Sequence, residues 1–182
     1  MITINQNINM SNYRRYYIPN SLYFITAVTN NRLPLFKNEK NIQLIFDTLH
    51  KVGEIKPFDL RAYCVLHDHL HLLIGIGETS GYNITDIVHS LKRNFTINYK
   101  KAHNITHEIS LWQKRFWDHI IRNENDFKRH MDYIHYNPVK HKITLSPEEY
   151  KYSSFNKWIE KGFYEKGWGH SEPEDLREID YE

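Results

Sequence analysis

Residues 58–76 read FDLRAYCVLHDHLHLLIGI, and the way this stretch divides decides the fold. "FDLRAYCVL" (Phe58–Leu66) and "HLHLLIGI" (His69–Ile76) are apolar and aromatic runs of strand length, and His67-Asp68 between them make a tight polar turn, so a hairpin is predicted. On a strand, residues two apart point to the same side. His69 and His71 therefore share one face, while Leu70 and Leu72 take the opposite, core-facing one. His67 joins the pair only if the strand already runs straight at that point. Three imidazoles within five residues need a reason, because a polar group placed in a sheet is costly without a partner.

Working outward, "LYFITAVT" (Leu22–Thr29) is rich in aromatic and β-branched residues and predicts a strand. Ile42, Ile45, Phe46, Leu49 and Val52 follow at helical spacing, predicting a helix over Glu39–Ile55. After the hairpin, Gly75, Gly77 and Gly81 break the chain. Ile84, Ile87, Val88, Leu91 and Phe95 then form a second helical face, with Lys92, Arg93, Lys100 and Lys101 off it. "RFWDHIIR" (Arg115–Arg122) predicts a fourth strand. A last strong helix is expected from about Asn123, with Glu124 and Asp126 favourably placed at its positive end. It should stop at Asn137-Pro138, since the residue before proline is pushed out of helical geometry. Ser146-Pro147-Glu148-Glu149 has the form of a capping box with proline at the first helical position, predicting a shorter helix. The order β-α-β-β-α-β is that of an α+β, ferredoxin-like split β-α-β fold. It implies an antiparallel sheet with two helices on one face, and the histidine pair on a central strand.

At 182 residues, 40% apolar and 25% charged, the chain has the composition of one globular domain. The opening MITINQNINM lacks the basic start and apolar run of a signal peptide, and no apolar run approaches the ~18–20 residues that span a bilayer. Cys64 is the single cysteine, which excludes an internal disulfide and suits a reducing cytosol; in its strand it reads as a small packed hydrophobe. The net charge of +2 conceals an asymmetry. Ser171–Glu182 carries six acids and one base, leaving residues 1–170 with 23 bases against 16 acids, a net of +7. The expected division is an N-terminal extension (1–12), one domain (13–170) and an acidic tail (171–182) expected to be mobile. A basic body is compatible with nucleic acid without requiring it.

A second constellation sits on the last helix. Phe127, Met131 and Ile134 mark its packing face, and Tyr133 and Asn137, four residues apart, fall together on one flank. His130 leans the same way and His135 the other. A tyrosine one turn from an amide oxygen could supply a nucleophile and a third metal ligand beside the histidine pair. The same residues also suit a plainer arrangement: half-exposed imidazoles and an amphipathic packing tyrosine.

His69-Leu70-His71 has the form of the HUH motif, histidine-hydrophobic-histidine. "WQKRFWDHIIRNENDFKRHMDYIHYNPVKH" (Trp112–His141) resembles the signature of REP-associated tyrosine transposases, which belong to the single-tyrosine HUH transposases. "YRRYYIP" (Tyr13–Pro19), "YFITAVT" and "YSSFNKWIEKGFYEKGWG" (Tyr152–Gly169) fit that family at the expected places. The resemblance implies that Tyr133 is the nucleophile, that His69 and His71 are metal ligands, and that Asn137 is the third ligand. It implies Mg²⁺ or Mn²⁺, whereas ligand softness alone would suit Zn²⁺ or Mn²⁺ better than Mg²⁺. The implied reaction is transesterification of single-stranded DNA through a 5′-phosphotyrosine, on a chromosomal repeat hairpin with a short guide sequence at its foot. A monomer or homodimer, in the bacterial cytoplasm and associated with the nucleoid, is the matching expectation. Two departures stand out: His67-Asp68 replaces a more usual proline followed by Asn or Glu, and Lys142 stands where glycine commonly follows.

For DNA binding, Arg14, Arg15, Tyr16 and Tyr17 combine cations with stacking faces, as do Trp112, Lys114, Arg115, Phe116 and Trp117. Trp112 and the Arg14-Arg15 pair read as the better placed, the latter near the hairpin foot, with Lys92 and Arg93 as further phosphate contacts. Trp117 reads as buried in the sheet. Two rival functions remain in view. A metal-dependent hydrolase with a water nucleophile would keep its activity in Tyr133→Phe, and a non-catalytic DNA-binding relative would bind hairpins without forming a covalent product.

Overall fold

Strand β1 (Ser21–Val28) and strand β3 (His69–Ile76) form the centre of the molecule, paired antiparallel from Ser21 opposite Ile76 to Val28 opposite His69. The structure is a computed structural model that describes residues 20–176. Strand β2 (Asp59–Val65) lies on the outer side of β3, and strand β4 (Trp117–Ile120) on the outer side of β1. All pairings are antiparallel and the order is β2-β3-β1-β4. The predicted hairpin is present: Leu66 N–H donates to the His69 carbonyl across the His67-Asp68 turn (2.8 Å).

Helices α1 (Glu39–Ile55) and α2 (Ile84–Ala102) pack on one face. Asn38 caps α1, and Asn83 with Asp86 forms a reciprocal capping box on α2. Ile25, Ala27, Leu70, Leu72 and Ile74 meet Ile45, Leu49, Val88, Leu91 and Phe95 there in one apolar core. Helix α3 (Glu124–Lys140) covers the other face, where Phe24, Cys64 and Leu73 meet Met131, Tyr133 and Ile134. The split β-α-β fold is therefore as the sequence indicates, with a third helix laid over the face that carries the histidines.

Three local expectations are corrected. Helix α3 does not stop at Asn137 but runs through Pro138 to Lys140. Asn137 is fully buried and its side-chain Nδ2 donates to the Tyr133 carbonyl (3.2 Å), so packing and this bond outweigh the local preference before proline. Ser146–Glu149 makes only a single 3₁₀ turn (Pro147–Glu149), without a side-chain cap. The chain leaves it because Tyr150 donates its hydroxyl to the Val65 carbonyl (2.6 Å), and Tyr152–Ser154 then bonds along the outer edge of β2. That contact covers an otherwise open sheet edge and leads into the short helix α4 (Phe155–Glu160). Strand β4 is also shorter than Arg115–Arg122. Among the described residues, no helix is long and apolar enough to cross a membrane. The segment read as an acidic tail (171–182) contains a 3₁₀ turn (Glu174–Leu176) whose Leu176 is buried with the α3-side core.

Candidate active site

The strand alternation places His69 and His71 on the α3 side of the sheet, both fully buried. Each is oriented through its Nδ1. The Asp68 carboxylate lies 2.6 Å from His69 Nδ1; since a carboxylate can only accept, Nδ1 carries a proton, and in the neutral ring the lone pair is then on Nε2. Thr26, directly opposite His71 in the register, places its hydroxyl 2.9 Å from His71 Nδ1. Asp68 is in turn bridged by Arg32 (3.3 Å). Burial alone would raise the Asp68 carboxyl, but the hydrogen bonds from His69 and Arg32 outweigh it and hold the group below its ordinary value. This assigns the first departure noted in the sequence: Asp68 aims a histidine. Its neighbour His67 is held below the ordinary imidazole value by burial and by Lys37.

Helix α3 brings Tyr133 over this pair. The Tyr133 ring lies edge-on to His71 at 5.2 Å between centroids, and His71 stands at 4.9 Å from His69. Phe24 stacks on His71 and meets Tyr133 edge-on, fixing both rings. One turn on, Asn137 has its Nδ2 engaged with the helix backbone while its Oδ1 is buried with no hydrogen bond. A buried carbonyl oxygen left without a donor is costly, and a cation is one partner that would satisfy it. The helix that continues past Pro138 carries Lys140 back over the tyrosine: Lys140 Nζ donates to the Tyr133 hydroxyl (3.3 Å) and sits 4.9 Å from its ring centre. His141, at the helix end, lies 5.1 Å from His69. Lys140 and His141 are exposed and rim the site.

The sequence singled out Tyr133, His69 and His71, which the fold brings into contact, and Asn137, one turn of α3 beyond Tyr133. It missed Asp68 and Thr26 as orienting groups, and Lys140 and His141 at the rim. Lys140, seven residues or two turns after Tyr133, had a readable spacing, obscured by the expected helix stop at Pro138. Thr26 had none, because cross-strand register is not written in β1 alone.

Among the described residues, one other cluster has metal-like spacing: His119, Asp126 and His130. Asp126 there accepts from His119 Nε2 (2.9 Å), the Arg122 main-chain N–H (3.1 Å) and Arg122 Nε (2.9 Å). Burial would raise this carboxyl, yet the Arg122 and His119 contacts hold it far below its usual range. A carboxylate already surrounded by donors, one a guanidinium, pins β4 to α3 and is poorly suited to a cation.

The expected DNA contacts divide. Lys92 is corrected: its ammonium is buried and donates to the carbonyls of Gln113 (2.6 Å), Lys114 and Arg115 (both 3.5 Å). Trp112 is corrected as well, since it is 6% exposed and packs against Phe36 and Phe95 in the α1–α2 core. Trp117, read as buried, is instead 39% exposed. Lys114 and Arg115 are exposed beside it. Arg93 is exposed on α2, where it lines a groove with Lys100 and Lys114. Arg14, Arg15 and Tyr16 lie outside the described residues.

The profile of the family described as "Transposase IS200 like" matches residues 17–137, a span that includes both histidines, the tyrosine and the asparagine. The chain belongs to this IS200-like transposase family. A REP-associated tyrosine transposase of Escherichia coli K12 is 31% identical to this transposase over 159 residues, covering 87% of this chain and 91% of the relative. A Haemophilus influenzae protein of the same designation is 35% identical over 167 residues, covering 88% and 94%. Among solved structures, that of a REP-associated tyrosine transposase bound to a REP hairpin superposes with a TM-score of 0.75 at 29% identity. It covers 94% of this transposase and 99% of the other chain.

Proposed function

We propose that this transposase cleaves and rejoins single-stranded DNA at the foot of REP-type hairpins, using Tyr133 as the nucleophile. The observation that carries the reading is that α3 lays Tyr133 against His71 and His141 against His69, with Asn137 between them along the helix, its Oδ1 buried. The hairpin-bound relative supports the substrate class.

Two buried imidazoles, each held through Nδ1 by Asp68 or Thr26, plus a buried amide oxygen without a donor, fit a small divalent cation of the Mg²⁺ or Mn²⁺ class. His69, His71 and Asn137 would hold it. Such an ion, when bound, would polarise the scissile phosphate and offset its growing charge. The remaining chemistry belongs to the chain. The Tyr133 oxygen forms a bond to phosphorus while the bond from phosphorus to the 3′-oxygen breaks, leaving a 5′-phosphotyrosine and a 3′-hydroxyl. The phenolic proton passes to solvent and the 3′-oxygen takes one up. One phosphodiester replaces another, so the reverse attack rejoins DNA without a further energy source. Tyrosine is a weak nucleophile at neutral pH, with an ordinary value near ~10. The Lys140 ammonium, at 3.3 Å, neutralises charge on the phenolic oxygen as it enters and leaves the bond. Phe24 and His71 hold the ring in place, so little motion is lost in reaching the attacking geometry.

Strand-cleavage assays on a REP hairpin with its single-stranded flank test this reading. Cleavage that requires Mg²⁺ or Mn²⁺ and disappears in Tyr133→Phe supports it. Cleavage that persists in Tyr133→Phe makes water the nucleophile and overturns it.

A further inference from the structure

We infer that Trp117 is the stacking face for an unpaired DNA base next to the cleaved phosphate, with Lys114 and Arg115 holding the strand that leads to it; this rests on the function proposed above. Trp117 opens the edge strand β4 and pairs with Thr26, the residue whose hydroxyl orients His71. It shares the α3-side face with His119, two residues on. Its ring and that of His71 each lie 5.5 Å from Phe24, on which both pack. Two strand spacings, ~10 Å, separate β4 from β3, so a nucleotide beside the scissile phosphate falls within reach of the indole.

The indole is also held from behind. His119 lies parallel to it (12°, 5.9 Å), and His130 lies parallel to His119 (12°, 4.6 Å). His119 is itself anchored by Asp126. A column of three rings fixes the orientation of Trp117 before a base arrives, which lowers the ordering cost of binding. The approach is built in the same way. Buried Lys92 gathers the carbonyls of Gln113, Lys114 and Arg115, and Phe116 is buried. The Lys114 and Arg115 side chains are thereby left exposed on the stretch that runs into Trp117. Cations followed by an exposed, supported aromatic face suit the alternating phosphates and bases of a single strand. The indole reads a base by its face rather than its edge, so the contact tolerates any sequence.

Binding of fluorescein-labelled REP hairpins, with and without the single-stranded flank, tests the assignment in a Tyr133→Phe background that leaves substrate uncut. Trp117→Ala should weaken the flanked hairpin roughly 5- to 150-fold and the flankless one less than about twofold. Trp117→Phe, which keeps a stacking face and guards against a folding defect in the alanine variant, should recover most of the loss. Unchanged affinity in Trp117→Ala, or an equal loss on both hairpins, overturns the inference. If the Tyr133→Phe parent does not distinguish the hairpin from an unrelated oligonucleotide, the proposed function fails and this inference fails with it. A parent that binds well while Trp117→Ala is silent removes this inference alone.

Discussion

Toward α1 and α2, the central strands present Ile25, Ala27, Leu70, Leu72 and Ile74; toward α3, the same strands present Phe24, Thr26, His69 and His71. Both faces are buried. The first is an apolar core that stabilises through area removed from water. The second encloses imidazoles, a hydroxyl and an amide, each of which must find a partner. A face made only for stability would gain from replacing them with apolar side chains of similar size. On the function proposed above, the α3 side is the working face and the α1–α2 side its support.

That contrast can be broken most severely at two adjacent residues of β3. His71→Leu should abolish cleavage while costing ~1–3 kcal/mol of stability, since it keeps an apolar side chain against Phe24 but takes the imidazole away from the buried Thr26 hydroxyl. Leu72→Ala, on the opposite side, should cost ~2–5 kcal/mol of stability through the cavity it leaves. Denaturant unfolding and a cleavage assay on both variants check the pair. A large stability loss in His71→Leu would mean that the imidazole is structural.

Within the working face, Lys140→Met keeps an apolar stem near the Tyr133 ring but removes the charge at its oxygen. Single-turnover cleavage should fall ~100-fold or more, with hairpin affinity nearly unchanged. Asp68→Ala releases His69 from its orienting carboxylate. Metal affinity, measured by Mn²⁺ titration, should drop ~10- to 100-fold.

His135 sharpens the comparison from the outer side of α3. It is fully buried between Tyr164 and Ser154, and burial pushes it down to about 3. The unfolded chain takes up this proton near pH ~6.5. Between these values the unfolded state binds more protons, so stability falls as pH drops, by up to ~1.4 kcal/mol per unit. Chemical denaturation between pH 7 and pH 4 should show that slope, and His135→Gln should flatten it. The smallest effect belongs to Lys142, which closes α3 in the left-handed region (φ 56°). This is why glycine suits the position. Lys142→Gly should add ~0.5–1 kcal/mol, read as a higher Tm.

The sequence made the two faces legible wherever periodicity carried them. Helix α1 over Glu39–Ile55, the hairpin and the His69–His71 pair follow directly from spacing. Tyr133 and Asn137 were visible as one turn of one helix, and their roles came from the resemblance to a transposase family. What spacing could not give was contact between elements. Thr26 became visible only through the β1–β3 register, and Asp68 only once the turn had folded. The burial of Trp112 and Trp117 is the reverse of the sequence reading because Leu111–Phe116 is irregular, so side-chain parity could not be carried through it into β4. Pro138 misplaced the helix end because local backbone preference says nothing of the burial that holds Asn137.

The most direct test of a tyrosine nucleophile over a histidine pair is the mass of the protein after reaction. The transposase would be mixed with a flanked REP hairpin and Mn²⁺, denatured, weighed intact and then digested for peptide mapping. The account predicts a denaturant-resistant adduct of one DNA fragment, carried on Tyr133 and absent with chelator. Cleaved DNA with unmodified protein, or an adduct on another residue, would contradict it.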